Sequence, residues 1–132
     1  MPYILNNAPN PMAIAEREIG VAAEIQFTAF TSCIGVVVLL NGSLTAVHLA
    51  LTAADGGAFD VAAANVVLAA LPAGYTSSIV IGSIPFWENP ANGANVGYAA
   101  LTAGLINSTL YPLADGTYGA EIDGGVITPT FV

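Results

Sequence analysis

Lysine is absent from this 132-residue chain, and Arg17 is its one basic residue against nine acids, for a net charge of −8. A chain so poor in cations cannot neutralise a phosphate backbone, which excludes nucleic acid as a partner. It also offers no basic patch to anionic lipid. Charged residues make up only 8% of the sequence, where a soluble domain carries roughly a quarter. Long apolar runs are missing too. Cys33 to Leu40 is uninterrupted but falls far short of the ~20 residues of a spanning helix, and the Ala-rich stretch Val61 to Leu71 is broken by Asn65 and closed by Pro72. No membrane span is therefore expected. The start, Met1-Pro2-Tyr3-Ile4-Leu5-Asn6-Asn7, has neither a basic n-region nor an apolar h-region, so no signal peptide is expected. With one cysteine there is no internal disulfide, which fits a reducing compartment and leaves a thiol to be explained.

What is present is apolar. Hydrophobic residues reach 55% with a mean hydropathy of +0.74, which excludes intrinsic disorder and gives one domain, residues 1–132, a core to bury. Residues 1–12 hold three prolines and three asparagines and read as an extended arm. Ile14 to Val21 alternates loosely as a strand. Glu24 to Phe30 alternates cleanly, with Ile25, Phe27 and Ala29 on one face. Cys33 to Leu40 has the β-branched continuity of a strand covered on both faces. Asn41-Gly42 is a hairpin signal, and Leu44 to Leu51 returns as the partner strand. Phe59 to Leu71 reads as a helix between Asp60 and Pro72, Ser78 to Gly82 as a short buried strand, and Ile84 to Gly93 as a long loop carrying Phe86 and Trp87. Asn95 to Ile106 is a second helix, and Gly116–Ile122 with Val126–Phe131 a closing hairpin. The fold expected is α+β, a mainly antiparallel sheet or small sandwich with two helices.

The hairpin lets side-chain geometry be worked out from the sequence. With Asn41 and Gly42 as the two central turn residues, Leu40 pairs with Ser43, Gly35 with His48 and Cys33 with Ala50. Alternation puts Cys33, Gly35 and His48 on one face, with Cys33 and His48 diagonal neighbours about 7–8 Å apart at the backbone. Gly35 presents no side chain between them. A turn one residue longer would place the two on opposite faces. A thiol beside an imidazole has a base to activate it and an acid to protonate a leaving group. The plainer alternative is a cysteine used as a small core hydrophobe and a hydrogen-bonded structural histidine.

The run Thr31-Ser32-Cys33-Ile34-Gly35-Val36, followed after a turn by Thr45-Ala46-Val47-His48, resembles the core of the chemotaxis receptor glutamine deamidases (CheD family). The spacing of Cys33 and His48 is similar to that of the cytotoxic necrotizing factor and Burkholderia lethal factor deamidase toxins. The resemblance implies a CheD/cytotoxic necrotizing factor deamidase-like fold and hydrolysis of a protein glutamine side-chain amide, with Cys33 as nucleophile and His48 as base and then acid. Those families often place a threonine six residues before the cysteine to orient the histidine. Here that position is Phe27, and Thr28, one place on, is the candidate for the role.

Other constellations carry less. One histidine, one cysteine and scattered carboxylates offer no metal-ligand spacing, so neither metal nor cofactor is expected. Asp115, Glu121 and Asp123 read as a solvated hairpin edge that discourages edge-to-edge pairing, with a cation site as the lesser alternative. Trp87 and Phe86 are either a partner anchor or a plug for the core. Two functions follow. One is a protein glutamine deamidase-like hydrolase with a protein substrate, cytoplasmic or secreted as an effector or toxin into a host cytosol. The other is a non-enzymatic acidic binding or self-assembling protein, a homo-oligomer with an unreactive fold-relative core.

Overall fold

A computed structural model describes residues 3–132. The first strand, β1 (Asn6–Asn7), lies parallel to β2 (Glu18–Ala22), so the proline-rich start is docked rather than free. Tyr3 is buried, and its hydroxyl both donates to the Ala50 carbonyl (2.9 Å) and accepts from the Ala50 N–H (3.0 Å). Residues 1 and 2 of the expected arm lie outside the described residues.

Next come β3 (Glu24–Gln26), β4 (Ile34–Leu40) and β5 (Ser43–Leu49). The β4–β5 turn is built as its residues require: Asn41 and Gly42 both take positive φ, 51° and 74°, the pattern of a type I′ turn. Its register pairs Leu40 with Ser43 and Gly35 with His48. The helix α1 (Val61–Ala70) starts where the Asp60 carboxylate accepts the Ala63 N–H at 2.9 Å and stops at Leu71, which the following proline holds extended. Then follow β6 (Ser77–Gly82), α2 (Ile84–Glu88), a 3-10 turn (Pro90–Asn92), α3 (Asn95–Gly104), β7 (Ser108–Pro112), β8 (Tyr118–Asp123) and β9 (Val126–Phe131).

The strands form two sheets, one of six in the order β1-β2-β5-β4-β6-β7 and one of three in the order β3-β8-β9. Pairing is mostly antiparallel, with β1–β2 and β6–β7 parallel. The architecture is α+β in three layers. Ile34, Val36 and Val38 of β4 face Ala64 and Val67 of α1, Trp87 of α2 and Leu101 of α3. Val37, between them in sequence, faces the other way, towards Ile25, Ala120 and Ile127 of the small sheet. The β-branched run thus has both faces covered, as its continuity predicts.

Several expectations are corrected. The stretch from Ile84 to Gly93 is not one loop: it forms α2, with Pro85 in its first turn, and the 3-10 turn. Ser108–Pro112, where no strand is expected from the sequence, pairs with β6. Ile14 to Arg17 is a single bridge and a turn rather than strand. The alternation in Glu24–Phe30 ends early, because β3 stops at Gln26; Ile25 and Phe27 are buried, but Ala29 is exposed and Phe30 turns inward instead.

Candidate active site

Cys33 and His48 lie in the layer between the two sheets. Cys33 immediately precedes β4 and is 1% exposed; His48 sits on β5 and is fully buried. Cys33 packs in the cluster of Phe27, Phe30, Val37 and Ala46, and the His48 ring rests on the same Phe27 (5.6 Å between centroids) and Phe30 (4.8 Å). The two side chains therefore project from one face of the hairpin.

The imidazole is held in one tautomer. Its Nδ1 lies 2.8 Å from the Ile14 carbonyl oxygen, which can only accept, so Nδ1 carries the proton. The Thr28 hydroxyl is 3.4 Å from Nδ1 and donates to the same carbonyl at 3.4 Å. Nε2 is left as a buried lone pair with no hydrogen-bond partner among the described residues. Burial holds the imidazole below its ordinary pKa, against the opposing pull of the Ile14 bond and the Glu16 and Glu18 carboxylates. A neutral base with its accepting nitrogen unengaged is the result.

The thiol is not hydrogen-bonded to that nitrogen at rest. Cys33 Sγ donates to Glu16 Oε2 at 3.2 Å and lies 3.5 Å from the Thr31 carbonyl. Burial first, and then the Glu16 bond, pushes the thiol up to about 12, so the resting sulfur is protonated. Glu16 itself is exposed, on the turn that joins Ala15 to Glu18 through a 3.0 Å backbone bond. That turn is fixed from several sides. Glu18 accepts the Ala15 N–H, Arg17 N–H donates to the His48 carbonyl at 2.7 Å, and the Arg17 guanidinium reaches the Thr52 carbonyl.

Backbone strain brackets the site. Arg17 (φ 61°) and Ser32 (φ 60°) are non-glycine residues in the left-handed region, which costs about 1–3 kcal/mol each. Ser32, directly before the cysteine, is held there from two sides. Its N–H donates to Asp115 (2.9 Å), and its carbonyl accepts the indole N–H of buried Trp87 (2.8 Å). On the other side of Cys33, its carbonyl accepts the Ser83 N–H. That approach needs Gly82, where a Cβ would sit 2.5 Å from the Cys33 oxygen and φ is 121°.

Thr28, Cys33 and His48 are thus gathered in one layer. The residues that sequence reasoning missed are Glu16 on the sulfur and Ile14, whose carbonyl sets the tautomer. Asp115 is not part of a uniform acidic edge: it ties down Ser32 and accepts from the Ser83 hydroxyl, while Glu121 and Asp123 belong to β8. Trp87 is core and a backbone clamp, with Phe86 the exposed member of the pair. The space over Gly35 is also not open to a leaning imidazole. A Cβ there would lie 2.6 Å from the Phe27 ring and 3.1 Å from Phe30, so the missing side chain makes room for phenyl rings.

A hollow of about 380 Å³ lined by Ser83, Pro85, Phe86, Pro112, Leu113 and Ala114 opens beside the backbone that bonds Cys33. A second, of about 240 Å³, lies at the start of α1 between Tyr3, Gly57 and Asp60. Neither is lined by Cys33 or His48. Among the described residues no cluster of three or more His, Cys, Asp or Glu side chains could hold a metal ion, and no helix is long and apolar enough to cross a membrane. Compared with known proteins, the chain matches no family model, no curated protein and no solved structure.

Proposed function

We propose that the chain is a Cys–His amidohydrolase acting on side-chain carboxamides of a protein substrate, a glutamine deamidase in chemistry. The observation that carries this reading is His48 Nε2, a buried acceptor left without a partner while Nδ1 is committed to Ile14, on the face that holds the thiol. An unpaired buried polar atom costs about 1–3 kcal/mol, and a proton passed from the neighbouring thiol would give this one a partner. The resemblance of the Ser32-Cys33 and Ala46-Val47-His48 segments to the deamidase pattern adds the substrate class.

The resting groups define the order of events. The thiol starts protonated, so the thiolate forms as the substrate arrives, when the proton passes from Sγ to Nε2. Sulfur then attacks the carboxamide carbon. The C–N bond breaks as the protonated imidazole returns its proton to the nitrogen, which leaves as ammonia. Water, deprotonated by the same Nε2, attacks the thioester and releases a carboxylate and the free thiol. Imidazole is the base suited to this task, because its ordinary pKa lies near neutrality, where it can both take up and return a proton.

The test is ammonia release together with the mass gain of an amide-to-acid exchange on glutamine-bearing proteins, with Cys33→Ser and His48→Asn as controls. Turnover abolished by both variants is the expected result. Turnover retained by Cys33→Ser refutes the mechanism. A second reading, a self-assembling protein with an inert core, is favoured by apolar side chains exposed on sheet edges: Leu110 on β7, and Val126 and Phe131 on β9. Size-exclusion chromatography showing an oligomer, with a thiol indifferent to His48→Asn, would decide for it.

A further inference from the structure

Sγ is buried, yet the atom that accepts its hydrogen bond belongs to an exposed side chain. Glu16 is thus the side chain that holds the sulfur's hydrogen bond, and a reactant that takes up Sγ must displace or share its carboxylate. Among the described residues that carboxylate makes no other side-chain hydrogen bond, while the turn beneath it is anchored by Glu18 and Arg17 rather than by Glu16. It is an acceptor on a fixed mount. Whatever displaces the thiol from Oε2 meets that carboxylate as a hydrogen-bond acceptor, and a reactant that brings its own N–H donor keeps the bond made.

We infer that Glu16 is the specificity-determining residue of the Cys33 site, admitting electrophiles that carry an N–H donor beside the carbonyl carbon, which means primary amides, and turning away carboxylates and esters. The inference rests on the reading of Cys33 as a nucleophile. A carboxamide offers its NH₂ to Oε2 as the thiol lets go, which holds the nitrogen that will leave next to the sulfur that attacks. An ester has nothing to donate. A carboxylate, the product of the reaction, meets like charge at hydrogen-bonding distance and is expelled. The same residue that holds the thiol's hydrogen bond would thus speed product departure.

Iodoacetamide and iodoacetate test this without any knowledge of the natural substrate, because they deliver the same alkylating carbon on an amide and on a carboxylate. Rates of Cys33 alkylation are measured for the full-length protein, Glu16→Gln, Glu16→Ala, and His48→Asn, with glutathione as the free-thiol reference. The amide-to-acid rate ratio should exceed that of glutathione by about tenfold or more. It should fall to the glutathione value in both Glu16 variants, chiefly because iodoacetate becomes faster. A purely structural Glu16 would change both rates by the same factor and leave the ratio alone. A ratio unchanged by Glu16→Gln, or a Cys33 that neither reagent reaches in any variant, overturns the inference. An iodoacetamide rate indifferent to His48→Asn overturns the Cys–His reading instead, so the two failures are told apart.

Discussion

Protonating His48 while the chain is folded would place a cation in a buried layer against two phenyl rings, and this predicts a distinctive acid response. In the unfolded chain the imidazole titrates near about 6.5. In the folded chain burial depresses its pKa, so between the two values the unfolded state binds a proton that the folded state does not. Stability from this group is therefore complete above about pH 6.5 and is lost as pH falls towards the depressed folded value. One proton sets the ceiling, about 1.4 kcal/mol per pH unit. At pH 5.5 the loss can reach at most about that figure, equivalent to no more than a few degrees in Tm for a domain of this size. The comparison is His48→Asn, which can keep an amide donor near the Ile14 carbonyl but cannot titrate. Both proteins share the relief of acidic self-repulsion on lowering pH, so it cancels in their difference. Urea unfolding from pH 5 to 8 should show the two stability curves converging as pH falls, the native chain losing ground to the variant. Curves that stay parallel would mean that His48 accepts a proton in place, refuting a neutral, buried base.

Three further predictions concern the supports of the site. Gly35→Ala drives a methyl into Phe27 and Phe30 and should cost about 1–3 kcal/mol in urea unfolding, as overpacked cores do; no loss would mean that the rings move aside freely. Trp87→Phe removes the donor to the Ser32 carbonyl and should cost about 1–3 kcal/mol for the unsatisfied oxygen, with a further change in Cys33 alkylation rate as the clamp loosens. Thiolate absorbance of the native protein should be absent at pH 9 and 10 and appear only towards about 12, while Glu16→Gln should bring it to lower pH. Ionisation near 8 to 9 in the native protein would show that the sulfur is neither buried nor held by a carboxylate.

How far the site could be read beforehand follows from how local its determinants are. The Gly35–His48 pairing was legible because a two-residue Asn-Gly turn fixes register, which depends on nearest neighbours in sequence. The covering of β4 on both sides was legible from its β-branched continuity. Glu16 was not, because it reaches the sulfur from an irregular turn where no period constrains the side chain. Asp115 was not, because it meets the Ser32 N–H from 83 residues away. The strand β7 escaped because Ser108–Pro112 is largely exposed and ends in proline, and only its parallel pairing with β6 makes it a strand. Gly35 was legible as necessary but for a different reason: it accommodates two rings rather than a leaning imidazole.

The left-handed serine that leads into Cys33 also bears on how this protein could be engineered. A search for greater thermal resistance would arrive quickly at Ser32→Gly, since glycine adopts that backbone freely and relieves about 1–2 kcal/mol of steric opposition. Glycine in the unfolded chain reclaims part of that gain, and it removes the stiffness that keeps the sulfur aimed. If Cys33 is the proposed nucleophile, selection for heat tolerance and selection for a well-directed thiol would pull this position towards different amino acids.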